Sequence, residues 1–502
     1  MTLKVAILNK EASLLNLRLQ RWLEKGKSMA SAHSHNQTVA LKDLPGPRGI
    51  PFFGNARQIV PHRMQQLEDW AKQFGHRYKI TLGSRQVLVC SNPDDILAAL
   101  KNRPAGFRRT SRLEMISKEF QMTGVFSANG EEWRRQRAFV MMAFNPQHIK
   151  AYFLTLRLVT ERLFNRWLQQ SDSAASFELE PSLMRVTIDV TAGLAFRTDI
   201  NTIESDGVVI QQHLKEIFRM LQKRLFAPFP YWHWIKFSAD RAIDKSIVVV
   251  AQSVREFIDA ARQKMKQDPV LFFKPTNLLE AMLAAQNQSE AALSESELAG
   301  NILTMLLAGE DTTAHSLAWL IYLLSKHPEF VLRVRSEVDN ILGDEPIPSQ
   351  HAQLHRMDFL EACIHESMRL HPVAPIIGSE AVEEVIVAGT TIPKGTMILF
   401  VPRVAAVGEG NFSHATDFMP DRWAEPVSES NNKKVSIPFG AGPRMCPGRF
   451  LAIEEMKMVI AVLVKNFDIE RIDTPDGGQA QEYLTFTMGP AGLRIKLRRR
   501  QN

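Results

Sequence analysis

Of the three cysteines in this 502-residue chain, Cys446 stands in the context best suited to chemistry. It lies in the stretch Phe439-Gly440-Ala441-Gly442-Pro443-Arg444-Met445-Cys446-Pro447-Gly448-Arg449-Phe450. Gly440, Gly442 and Gly448 remove side chains around the sulfur, so backbone donors and a flat ligand have room to approach. Pro447 is a residue favoured at the first position of a helix, and Phe450 through Ile460 repeat with helical spacing. The pattern predicts Cys446 at about the N-cap, where unpaired N–H groups and partial positive charge favour a thiolate over a thiol. Arg444 adds a cation two residues away. The chemistry expected is an anionic sulfur held for a metal, and the plainer alternative is a buried structural cysteine beside a glycine-rich turn.

A second stretch places polar groups where they are costly. Ser294-Glu295-Ser296-Glu297 reads as a capping box opening a long apolar helix. The helix is interrupted by Ala308-Gly309-Glu310-Asp311-Thr312-Thr313 and then resumes through Leu324. Two acids and two hydroxyls inside so apolar a run need partners. Gly309 costs about 1 kcal/mol against alanine in a helix interior, which implies that something is accommodated against this turn. Ala308 and Thr312, four apart, share a face. The bland reading is a kinked helix with a solvated polar patch.

The spacing F-x-x-G-x-R-x-C-x-G resembles the haem-ligand loop of the cytochrome P450 family. The resemblance implies that the Cys446 thiolate is the axial ligand of haem b iron, with Phe439, Arg444 and Gly448 around it. A-G-x-D-T resembles the family's oxygen-activating turn. It implies that Ala308 lies beside the haem and that Asp311 and Thr312 deliver protons. Trp133 and Arg137 match the W-x-x-x-R of the haem-propionate helix. Glu366 and Arg369 are three apart on a helix ended by Pro372, worth only about 0.2–0.5 kcal/mol as an exposed pair. With Arg422 they resemble the family's Glu-Arg-Arg lock, a structural element. One departure stands out: where many relatives carry a further propionate arginine, this chain has Gly378-Ser379-Glu380, which implies a haem held with fewer cations.

The family resemblance spans residues 44–497. It implies a mainly α protein with small β-sheets, the cytochrome P450 fold, in one large catalytic domain over 44–502 behind an extension at 1–43. The function implied is haem-thiolate monooxygenation: one atom of O2 inserted into a hydrophobic small molecule. Two alternatives stay open. A haem-thiolate peroxygenase or isomerase can dispense with the acid–alcohol pair, and a haem-dependent ligand-binding protein needs no catalysis.

The elements that must position these residues are legible in outline. Leu15, Leu19, Trp22 and Leu23 share a helical face near several basic residues, suited to peripheral membrane contact, to docking on the protein itself, or to disorder. Residues 44–55, rich in proline and glycine, form a stiff entry to the fold. Arg77 to Val89 reads as a hairpin around Gly83-Ser84, and 144–330 is predominantly helical. Short strands are expected at Val385–Val387, Met397–Phe400 and Leu484–Thr487. The last is expected to form a second hairpin with Leu493–Leu497.

The resemblance implies that Leu113–Phe126, Ala308, Val373–Ile377 and Thr485-Phe486 line the substrate pocket; as mostly apolar segments they suit plain core equally. The aromatic stretch Leu225–Trp234 is suited to a membrane surface, an entrance roof or plain packing.

Composition constrains location and partners. Hydrophobic content of 45% permits a large core. Three distant cysteines form neither a disulfide framework nor a zinc spacing, which fits a reducing compartment. No run reaches the roughly 18 apolar residues of a membrane span and no signal-peptide pattern opens the chain, so a cytoplasmic location is expected. A net charge of +7 suits nucleic acid, an anionic membrane or an acidic protein equally, and the resemblance implies no nucleic acid. Residues 447–502 are too few for a flavin reductase. Electrons are therefore expected from a separate ferredoxin, flavodoxin or FMN-type reductase, docked on Arg134, Arg135, Lys433, Lys434, Arg449 and Lys457.

Overall fold

The structure, a computed structural model, describes residues 38–59, 63–173, 175–196, 199–205, 209–227, 229–288, 293–424 and 431–500. The helical face around Leu15–Leu23 lies outside them. Six helices position the site: α1 (Gly130–Ala143), α2 (Leu179–Phe196), α3 (Val209–Phe226), α4 (Glu295–Lys326), α5 (Asp358–Leu370) and α6 (Arg449–Asn466).

The core forms around α4, whose 32 residues extend about 48 Å at 1.5 Å per residue. Its start is fixed by the capping box: Ser294 Oγ accepts from Glu297 N at 3.2 Å, and Glu297 Oε2 accepts from Ser294 N at 2.8 Å. Because apolar side chains cover nearly its whole circumference, α4 is buried over most of its surface. Its C-terminal half, Ala314 to Leu324, joins α2, α5 and α6 in one hydrophobic cluster. Leu298 to Leu307 join α1 and α3 in another.

Gly309 is explained by α2, which packs across α4. A Cβ at position 309 would stand 2.3 Å from Thr191 Oγ1. What is accommodated against this turn is a neighbouring helix. Thr187 of α2 adds a hydrogen bond to the Glu310 carbonyl at 2.9 Å.

The β-structure is peripheral. A five-stranded sheet runs Arg77–Leu82, Arg85–Cys90, Met397–Phe400, Ile377–Ala381, Phe107–Arg108. Its first pair is the antiparallel hairpin expected around Gly83, and Arg85–Cys90 lies parallel to Met397–Phe400. Val385–Val387 is also a strand.

The second hairpin differs from the sequence expectation. Glu482–Leu484 pairs with Met488–Pro490, leaving Thr485, Phe486 and Thr487 as the turn. Arg494–Arg499 pairs instead with Phe467–Asp473 and Phe177–Glu178. The apolar alternation of Leu493–Leu497 is satisfied equally well by either partner, so periodicity alone could not choose. Among the described residues no helix is long and apolar enough to cross a membrane.

Candidate active site

Cys446 does not stand at the helix N-cap. Residues Gly442–Arg444 make a single 3-10 turn, and α6 begins at Arg449 with Gly448 as its N-cap. Pro447 therefore precedes the helix. The sulfur sits in a loop closed by Cys446 N donating to Phe439 O at 2.9 Å. Gly442 lets that loop approach its support: it has φ +69°, and a Cβ there would come within 2.3 Å of the Leu100 carbonyl.

Burial pushes the Cys446 thiol up, while the Gly448 N–H and the guanidiniums of Arg137 and Arg449 pull it down. The net direction is upward, so the protein alone favours the thiol, and a bound cation is what would make it a thiolate. The cations facing the sulfur are not the one expected. Arg444 turns away, donating to Ala128 O at 2.7 Å and lying 4.5 Å over the ring of Trp133.

The side chain of Trp133 is thus a platform for Arg444 and is itself buried. Arg137, one turn further along α1, donates to Met445 O at 2.6 Å, which ties α1 to the residue before the cysteine.

Around Arg444 the chain gathers positive charge. Arg103, Arg109 and Arg137 all act on Arg444, and together with burial they depress its pKa. Burial alone does the same to Arg109, and burial with Arg109 to Arg103. Asn129 ties the group together, accepting from Arg109 N at 2.9 Å and from Arg444 Nη2 at 3.3 Å through the same Oδ1. The Nε atoms of Arg109 and Arg444 are both sealed from solvent and lack a hydrogen-bond partner.

Clustered cations with orphaned donors are costly by themselves and are relieved by a polyanion. Two carboxylates at one edge of a flat group meet that need, and Cys446 supplies a soft ligand beside it. The residues fit haem b. Arg103 and Arg109 escape sequence reasoning because nothing in local spacing marks them. They add positive charge beside Arg444, while the Gly378-Ser379-Glu380 stretch carries no arginine. Glu380 itself accepts from Ser111 N at 2.8 Å and Ser111 Oγ at 2.7 Å.

The polar turn of α4 is the other half of the site. Ala308 is exposed although its neighbours Leu307 and Glu310 are buried, so this one face of the helix opens onto a space. Thr312, on the same face, donates its hydroxyl to Ala308 O at 2.6 Å, and Asp311 beside it is buried. The turn is tied to the cysteine side through Glu455 of α6. This carboxyl is fully enclosed, hydrogen-bonds Thr313 and is pushed up to about 8 by burial.

Phe126, Phe218 and Phe486 converge from three separate segments, at 5.8 Å for Phe126–Phe486 and 5.5 Å for Phe218–Phe486. Phe218, on α3, is not among the expected lining segments. The Phe486 turn is held to α4 by His315, whose Nδ1 lies 2.9 Å from Thr487 Oγ1.

Glu366, Arg369 and Arg422 meet in a fully enclosed cluster. Arg369 forks onto Glu366 through two bonds of 2.8 Å, and Arg422 Nε reaches Glu366 Oε1 at 3.0 Å. Trp423 Nε1 adds a bond at 2.9 Å. The spare donors of Arg369 take the Ala406 and Ala415 carbonyls, so helix α5 and the loop preceding Arg422 are one unit.

The sequence model of the cytochrome P450 family matches residues 44–497. The chain belongs to this family. It is 25% identical to cytochrome P450 4d10 of Drosophila mettleri, over 96% of this chain and 95% of that protein. It is 27% identical to cytochrome P450 27C1 of Danio rerio, over 86% and 82%. A self-sufficient cytochrome P450 monooxygenase of Penicillium camemberti is 27% identical over 92% of this chain but only 44% of its own length. The chain thus has the P450 fold and is a haem-binding monooxygenase, using O2, an organic substrate and electrons from a redox donor.

Of the expected docking cations, Lys457 does not reach the surface. It is buried, donates to Leu354 O at 3.0 Å and pairs with Glu361 at 2.5 Å. Helical periodicity could not foresee this, because α6 is enclosed on nearly every side. Arg134 pairs with Glu131, and Arg135 with Glu297. The aromatic stretch divides: Trp232 is buried and donates to Glu119 at 2.8 Å, while Phe229 and Trp234 are exposed.

Proposed function

We propose that this P450 oxygenates a largely apolar small molecule seated against Ala308, Phe126, Phe218 and Phe486, with Cys446 holding the haem iron. The observation that carries the reading is the arginine cluster. Arg103, Arg109 and Arg137 gather around Arg444, two residues from Cys446, and among the described residues no carboxylate pairs with any of the four. Haem bound there supplies the capacity to split dioxygen and transfer one of its atoms. The chain's own residues do the rest. Arg109 and Arg444 hold the propionate edge, and Arg137 fixes the cysteine loop by its bond to Met445 O. Asp311 and Thr312 move protons on the substrate side; the Thr312 hydroxyl, bonded to Ala308 O, must swing from that carbonyl to do so.

The three phenylalanines exclude water and select for apolar surface. The electron donor is proposed to be a separate protein, docking near Lys433, Lys434 and Arg449. Stopped-flow reduction of the haem should then slow as ionic strength rises.

Ferrous protein treated with carbon monoxide should show a thiolate-type absorption band that Cys446→Ser lacks. Retention of full oxygenase turnover by Cys446→Ser would overturn the assignment. Phe486→Ala should weaken binding of an apolar ligand, read as the spectral shift on displacement of the iron's water, by roughly tenfold or more through loss of about 1.5–3 kcal/mol of burial.

A further inference from the structure

Away from the cysteine loop, α6 meets the short helix His351–Leu354. His351 and His355 are one turn apart, and both face Glu454 of α6. His351 Nε2 lies 2.8 Å and His355 Nε2 3.8 Å from Glu454 Oε1. One ligand atom from each of the three residues falls within 4.8 Å of the others. The two imidazoles stand edge to face at 4.5 Å between centroids. His351 is oriented from behind by Phe153, edge-on at 5.8 Å, and Glu454 is buried at 7% exposure. His355 opens to solvent.

Two histidines and a glutamate form a donor set that divalent zinc takes, with a fourth position left for water. Bonds of about 2.0–2.2 Å in tetrahedral array set ligand atoms roughly 3.3 Å apart. The observed 2.8 and 3.8 Å bracket that value, and with all three ligand atoms within 4.8 Å of one another closure needs shifts of no more than about 1.5 Å. The nearby cation, Lys457, is already engaged by Glu361 and the Leu354 carbonyl. Other histidine–carboxylate contacts, His327–Glu329, His365–Glu361 and His414–Asp417, bring one imidazole to one carboxylate. Among the described residues this is the one cluster where a third ligand joins.

We propose that His351, His355 and Glu454 bind one zinc ion, clamping the short helix to α6. The site is separate from the haem and takes no part in oxygen chemistry. It makes the helix that leads from Cys446 harder to dislodge.

The test uses the full-length, haem-loaded protein, equilibrium dialysis against zinc chloride with metal analysis, and thermal unfolding. Wild-type protein should take up one zinc ion more than His355→Ala, with affinity at least about tenfold higher. His355 is exposed, so its replacement leaves the fold intact. Zinc should raise the unfolding midpoint of the wild type and of the control His365→Ala, because a ligand specific to the folded state stabilises it. It should leave His355→Ala and Glu454→Gln unmoved. Equal zinc uptake by wild type and His355→Ala would overturn the proposal, since the metal would then reside on other histidines. So would a wild-type midpoint indifferent to zinc.

Discussion

Two of the groups of largely enclosed arginines in this P450 solve the same electrostatic problem in opposite ways. Arg369 and Arg422 converge on one carboxylate, Glu366, and their remaining donors take backbone carbonyls. Arg103, Arg109 and Arg444 converge on one another, take carbonyls and Asn129, and leave two Nε atoms unmatched. The first group is complete within the protein and belongs to the fold. The second group is left without a counter-charge in the chain, and we propose that it serves the ligand. A buried arginine by itself says little; whether its counter-charge is part of the chain says what it is for.

The sharpest way to break that contrast is to remove the carboxylate. Glu366→Gln leaves Arg369 and Arg422 enclosed without counter-charge, and should destabilise the protein by about 3–5 kcal/mol. Denaturant unfolding checks this, and a loss below about 1 kcal/mol would mean that the two guanidiniums find other partners. The ligand-facing group should respond with the opposite sign. Arg109→Leu removes an uncompensated cation, so haem-free protein should gain about 1–3 kcal/mol, while haem is lost faster to an acceptor such as apomyoglobin. A variant that destabilises both forms alike would place Arg109 in the fold after all.

Glu455 extends the contrast to an acid. Among the described residues no cation acts on it; burial and the neighbouring Glu454 raise its pKa from 4.5 to about 8. The folded protein therefore holds a proton that the unfolded chain releases above its ordinary value. Stability from this group is fully present below about pH 4.5 and falls between there and about pH 8, at about 1.4 kcal/mol per pH unit. Glu455→Gln should flatten that slope and grow in stability relative to wild type as pH rises across the window. Parallel curves for the two proteins would show that Glu455 is already ionised.

What can be read from sequence tracks the range of the interactions. The cysteine loop, the α4 turn and the Glu366–Arg369 pair are contiguous or helically spaced, and each carries its own signature. Even Arg422, more than fifty residues from Glu366, is reachable because its Phe-Met-Pro-Asp-Arg-Trp context is distinctive. Arg103, Arg109 and Phe218 have no such marker; they act only where the chain returns in space. Gly309 signals a close approach, but the approaching group, Thr191, lies on another helix. The pairing of Arg494–Arg499 escapes for a related reason. A two-residue period says which face of a strand is buried and is silent on which strand lies beside it.

The smallest effect is expected one residue from the lock, and it isolates burial from geometry. Arg333 forks onto Asp421 with bonds of 2.8 and 2.7 Å, as good a pair as Arg369 on Glu366. The difference is solvent: the side chains of Arg333 and Asp421 are 48% and 55% exposed, those of Arg369 and Glu366 not at all. In water most of the attraction is screened, and removing one partner strands no charge. Arg333→Gln should therefore cost only about 0.2–1 kcal/mol, although its guanidinium also covers the Phe359 ring at 3.8 Å. The electrostatic part of that cost should fade in high salt, whereas the cost of Glu366→Gln should persist. If Arg333→Gln were as damaging as Glu366→Gln, the fork geometry, and not enclosure, would be what makes an arginine indispensable here.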